Sequence, residues 1–204
     1  MAEWFENLIN KDYLQDNLTF ASLFIALYEN MTDYVVSNVK AFLCDIGVKD
    51  GEMIYIETGE YVSVIRNRIV DDKGNKDRTK ASFLWLVDQG AITSADYDKF
   101  LQIKKIRNKY AHELSNVIML GIQENEIALL FDMHSLYSAI SRWFFVEFEA
   151  PIMGYEIPEN TDVSSIQNGA NIAFSIMLNV LYNGKSEEYK DMITSIKEGK
   201  KHEV

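Results

Sequence analysis

The chain has 204 residues with 48% hydrophobic and 25% charged side chains, the balance of a globular protein and not of a disordered one. That length suits one domain, residues 1–204, with a sizeable core. Its net charge of −11 argues against a protein that coats nucleic acid broadly, although it leaves room for a small basic cleft.

Cys44 is the only cysteine, so neither an intrachain disulfide nor a thiolate metal site is expected. The start, Met1 to Asn7, has no basic segment and no clean apolar run, unlike a secretory signal. The most apolar stretch, Leu18 to Tyr28, is too short to span a bilayer. A cytoplasmic protein without membrane contact is the simplest expectation.

In chain order, Leu18 to Leu43 reads as a long helix, with Leu23, Leu27, Met31, Tyr34, Val35 and Phe42 at helical spacing. Asp16 or Asn17 is the expected cap, and Gly47 the expected end. Residues 48–80 are ambiguous. Tyr61, Val62, Val64, Ile65, Ile69 and Val70 fit a helix or a hairpin strand, and a helix is preferred. Asp71 to Asp77 is a polar loop. Lys80 to Gln89 forms a short helix closed by Gly90. Thr93-Ser94-Ala95-Asp96 resembles a capping box. A continuous helix is expected from about Ser94 to Met119 (roughly 94–119), broken by Gly121. Asn125 to Phe148 is another long helix, stopped before Pro151, and 151–163 is a polar connection. Ser164 to Leu181 and Ser186 to Lys197 complete the set. The expected fold class is all-α, a helical bundle with short loops.

The 94–119 helix carries two stripes. Phe100, Ile103, Ile106, Tyr110, Leu114 and Val117 form a core face. Leu101, Asn108, His112, Ser115 and Met119 form a second face, suited to a cleft or a partner subunit. Arg107 and His112 are about 140° apart around the axis. Arg107 either reaches round, or meets the counterpart of His112 across the two-fold axis of a homodimer.

Arg107-Asn108-Lys109-Tyr110-Ala111-His112 resembles the Arg-x4-His motif of the HEPN ribonuclease superfamily, with a polar residue after the arginine. The similar region covers roughly residues 80–120. The resemblance implies an all-α, HEPN-like dimer that cleaves RNA without a metal or other cofactor. The 2′-hydroxyl of the RNA substrate would attack the adjacent phosphorus. His112 would act as general acid or base. Arg107 would hold the phosphate and stabilise its developing charge. Asn108 would orient His112 or contact phosphate, and Lys104, Lys105 and Lys109 would supply positive charge around the substrate. Products would be a 2′,3′-cyclic phosphate and a 5′-hydroxyl. A toxin or phage-defence effector, with an antitoxin or defence-system partner, follows from the same resemblance. Some HEPN toxins carry a tyrosine two residues after the histidine, modified by the antitoxin. Leu114 stands there, so that regulation is not expected.

Two other classes compete: a non-catalytic HEPN-like regulatory or protein-binding module, and a structural dimer in which Arg107, Asn108 and His112 form an interface network. His134 falls on an apolar stripe and is expected to be a satisfied core residue, while His202 lies in a charged tail. With no His-x3-His pair there is no metal signal. Trp143-Phe144-Phe145 and Phe148 are expected in packing.

Overall fold

The computed structural model describes residues 3–70, 72–182 and 184, the first three by backbone alone. Helix α1 (Glu3–Ile9) precedes the 33-residue α2 (Lys11–Leu43). A hairpin follows, β1 (Cys44–Lys49) and β2 (Glu52–Glu57), then α3 (Gly59–Tyr61), which runs into a π turn (Val62–Arg66). Helices α4 (Arg78–Asp88), α5 (Ser94–His112), α6 (Leu114–Leu120) and α7 (Glu124–Phe144) come next. A second π turn (Phe145–Glu149), α8 (Ala150–Ile152), a 3-10 turn (Val163–Ser165) and α9 (Gly169–Tyr182) complete the described chain. The protein is thus mainly helical. Among the described residues no helix is long and apolar enough to cross a membrane.

Helix α2 is the axis of the fold: α1, α4, α5, α6, α7 and the hairpin all pack on it. Phe24, Leu27, Met31, Val35 and Val39 recur at three and four residues and are fully buried along its length. Removing each such side chain from water contributes about 1.5–3 kcal/mol. Facing them are Phe83 of α4, Phe100 and Ile103 of α5, and Leu130, Met133 and Ile140 of α7. Phe83 and Phe100 stack with ring centroids 3.7 Å apart.

Several expectations need correction. Helix α2 starts seven residues before Leu18 and is capped by Asn10, whose side chain accepts from the Tyr13 N–H. Asn17 instead donates to the Tyr13 carbonyl and accepts from the Ile122 N–H, tying α2 to the α6–α7 turn. Gly47 does not end the helix but lies within β1, opposite Ile54. The hairpin departs from a purely helical reading. Its turn is Asp50-Gly51, both with positive φ (54° and 84°), the conformation a two-residue hairpin turn demands.

The expected 94–119 helix is interrupted. Thr93 and Asp96 do form the capping box, but the chain leaves helical geometry at Glu113 (φ −127°, ψ 29°) and restarts as α6. The break lets α6 keep Val117 in the core while α1 packs on it. Leu114, expected in the core, is exposed, and Ile106 is half-buried. Pro151 does not stop the helical run after α7. It falls within α8, which continues the run directly from the π turn. The expected Ser164–Leu181 helix begins at Gly169, with only a 3-10 turn before it. The expected Ser186–Lys197 helix lies outside the described residues.

Candidate functional site

Helix α5 brings Lys104, Lys105, Arg107, Asn108, Lys109 and His112 into its last two and a half turns. The core side fixes its rotation. Phe100, Ile103 and Tyr110 are buried against α2, with Phe24 meeting the Tyr110 ring edge-on at 5.2 Å. Asn108 and His112 consequently face solvent.

Arg107 leans back onto α2. Its Nε donates to Glu29 Oε1 at 2.8 Å, and Nη2 donates to the same oxygen. Nη1 donates to Asn108 Oδ1 at 3.2 Å. The guanidinium carbon lies 5.4 Å from the centre of the Tyr28 ring, within cation–π range. Burial pushes the Tyr28 hydroxyl up to about 12, so the ring beneath the guanidinium stays neutral at ordinary pH. Asn108 is therefore engaged with Arg107 and not with His112. His112 is the last residue of α5 and makes no side-chain hydrogen bond among the described residues.

Two of the three lysines are also neutralised within the chain. Lys104 Nζ lies 2.6 Å from Asp77 Oδ2, and Asp77 caps α4 by accepting from the Lys80 N–H at 3.0 Å. Burial alone would raise the Asp77 pKa. The Lys104 hydrogen bond, the capping N–H and the two lysine charges outweigh it and hold it below the usual carboxylate range. Lys109 Nζ lies 2.6 Å from Glu126 Oε1. Glu126, 2% exposed, also accepts from Tyr110 Oη at 2.8 Å and from the Gln123 N–H at 3.1 Å. Its burial penalty is likewise overcome, by hydrogen bonds from Lys109, Gln123 and Tyr110, and its pKa is lowered. Lys105 is exposed and has no ion-pair partner among the described residues.

Glu29, Asp77 and Glu126 are residues that sequence reading missed. Glu126 alone left a trace, because Gln123-Glu124-Asn125-Glu126 forms a capping box whose first residue lies two before the expected helix start. Glu29 also lines a cleft of about 360 Å³ with Asn30, Asp33, Tyr34, Ser37 and Asn38. A larger cleft of about 610 Å³, walled by Tyr13, Asn17, Phe20, Ile122 and Tyr182, is formed without the α5 motif.

The second α5 stripe is divided by the break at Glu113. Its Leu101–Asn108–His112 part remains half-buried to exposed, whereas Met119 belongs to α6, where the Asn7 side chain donates to its carbonyl at 3.5 Å. His134 is satisfied as expected, with Nε2 3.2 Å from the Asn171 carbonyl and 3.0 Å from Ser175 Oγ. Trp143, Phe144 and Phe148 pack with Trp85, Tyr34 and Phe42. Among the described residues no group of three or more His, Cys, Asp or Glu side chains is placed to hold a metal ion. Comparison with protein-family models, with curated proteins and with solved structures finds no match.

Proposed function

We propose that the chain is a metal-independent, HEPN-type endoribonuclease acting in the cytoplasm as a toxin or phage-defence effector. The observation that carries this reading is the joint placement of Arg107, Asn108 and His112 in the last turns of one helix. Asn108 and His112 are exposed there, and Arg107 is oriented by two partners. In the proposed reaction His112 removes the proton from the RNA 2′-hydroxyl, or delivers one to the leaving 5′-oxygen. The new bond is O2′–P and the broken bond is P–O5′. Arg107 supports the charge on the phosphoryl oxygens. Lys105 is the cation best placed to meet substrate, since Lys104 and Lys109 face Asp77 and Glu126. A homodimer meeting through the Leu101–Asn108–His112 face would complete a composite cleft, and an antitoxin or defence-system partner would restrain it.

The test is cleavage of a mixed-sequence RNA by the purified protein in EDTA. Cleavage leaving 2′,3′-cyclic phosphate ends, lost with a 2′-O-methyl group at the cut site and lost in His112→Ala, supports the reading. RNA left intact by a folded protein removes it.

A second reading is favoured by the ion pairs themselves. Arg107, Lys104 and Lys109 each face an acid, which lowers the field available to phosphate. This suits a non-catalytic regulatory module in which Arg107 and Asn108 stabilise the helix pair, and failure of the cleavage test would move the function there.

A further inference from the structure

The β1–β2 hairpin is an anomaly in this fold. A lone two-stranded hairpin is marginal in water and usually gains stability from a third strand or a covering helix. Here it is antiparallel and in strict register, with Ile46 opposite Tyr55, Gly47 opposite Ile54, Val48 opposite Met53 and Lys49 opposite Glu52. Among the described residues only α2 packs closely against it. Ile46, Val48 and Met53 are 68%, 73% and 82% exposed, and Tyr55, Ile54 and Ile56 are also exposed. Ile46, Val48, Met53 and Tyr55 share one face of the hairpin, while Ile54 and Ile56 lie on the other. Among the described residues the sheet ends at β1 on one side and β2 on the other, leaving both edges to pair.

We infer that the β1 edge pairs with the β1 edge of a second copy of this chain, making a four-stranded antiparallel sheet in the order β2-β1-β1-β2. The charge pattern selects both the occupant and the register. A two-fold axis through Gly47 places Gly47 against Gly47, Ile46 against Val48 of the second copy, and Asp45 against Lys49 of the second copy. One face then carries two continuous apolar rows, each running Tyr55, Ile46, then Val48 and Met53 of the other copy. On the other face the outer rows run Glu52, Lys49, then Asp45 and Ile56 of the other copy, and Ile54 flanks the paired glycines in the middle row. Opposite charges and apolar pairs directly across strands are the favourable cross-strand combinations. Glycine at the centre puts no side chain on the axis.

The β2 edge does not achieve this. Centred on Ile54 it sets Glu52 against Ile56, and centred on Tyr55 it sets Met53 against Glu57. Each option leaves a carboxylate facing an apolar group. The β1 pairing is independent of the ribonuclease reading, because the hairpin contains none of Arg107, Asn108 and His112.

Analytical ultracentrifugation of the full chain at micromolar concentration tests the inference. Asp45→Lys and Lys49→Asp should each halve the particle mass while leaving the helical circular dichroism unchanged. Mixing the two variants should restore it, since each charged position across the seam then sets a lysine of one copy against an aspartate of the other. If the α5 faces also pair, the wild type is a tetramer and each variant a dimer, and the mass still halves. Register is read by cysteine pairing. Oxidation of Ile46→Cys mixed with Val48→Cys should give cross-linked dimers, whereas either alone should not, being diagonal across the seam and beyond disulfide reach. A monomeric wild type overturns the inference and leaves the edge to a different protein. So does a mass insensitive to both charge reversals, or cross-linking of Ile46→Cys alone as efficient as the mixture.

Discussion

Arg107 and Glu29 are joined across 78 residues of sequence, with Nε and Nη2 of the guanidinium sharing one carboxylate oxygen. The contact orients the motif arginine and partly cancels its charge. Glu29→Gln keeps an acceptor and removes the charge. Under the ribonuclease reading the freed guanidinium binds phosphate better, and kcat/KM should rise by up to roughly fivefold, matching the ~0.2–1 kcal/mol of a partly exposed ion pair. Initial-rate measurements on a short RNA check this. A fall in rate would show that orienting Arg107 outweighs the cancelling of its charge.

Activity and stability should separate at the two motif residues. His112 is exposed at the end of α5, so His112→Ala should change the unfolding free energy by no more than about 0.5 kcal/mol. It should lower cleavage by roughly 10²–10⁴-fold. Arg107→Ala should also abolish most cleavage, but it loses the Glu29 contact and the Tyr28 ring contact and should cost about 1 kcal/mol. Paired denaturation and cleavage curves measure both. An active His112→Ala would sink the mechanism.

Glu126 should matter far more to folding. Glu126→Ala leaves the buried Tyr110 hydroxyl without its acceptor, removes the α7 capping box and frees Lys109, for a loss of about 2–4 kcal/mol. The pH dependence has a definite sign. The folded pKa of Glu126 lies below its ordinary 4.5, so its stabilisation is complete above that value and is lost as pH falls through the lower folded one. Below about pH 4.5, Glu126→Gln should therefore lose stability with acid less steeply than the wild type. Urea titrations between neutral pH and pH 3 would show it; parallel slopes would contradict it.

Gly121 is a backbone test. It has φ 77°, and a Cβ there would lie 2.7 Å from Tyr13 Oη. Gly121→Ala should destabilise by about 1–3 kcal/mol through strain and displacement of Tyr13. The readout is the thermal midpoint. Tyr13→Phe removes the hydroxyl and should relieve part of the loss.

Periodicity was sufficient for the helices whose faces have one dominant partner. The stripe of α2, the capping box at Thr93 and Asp96, and the stop at Gly121 are all local signals, and all appear in the structure. The break at Glu113 left no such mark, because Ala111-His112-Glu113-Leu114 contains no Gly or Pro. It answers to the packing of α6 between α1 and α2, which is tertiary information. The hairpin had a legible turn in Asp50-Gly51, but its alternation is blurred by apolar residues on both faces of β2. At the candidate site, the residues that share α5 were readable from spacing. Their acidic partners came from α2, from the loop before α4 and from α7, and a short motif carries no record of groups so distant in sequence.

The length of α2 has a consequence for how the chain is made. Helix α2 leaves the ribosome with its apolar stripe complete, but the α5 and α7 residues that cover that stripe are synthesised later, the last of them near Phe144. At ~5–20 residues per second the delay is roughly 5–20 s, far longer than helix formation or collapse requires. During that interval the stripe of Phe24, Leu27, Met31 and Val35 lacks its native cover. Nascent chains arrested before Glu124 should therefore depend on chaperones, and this dependence should end once α7 has emerged.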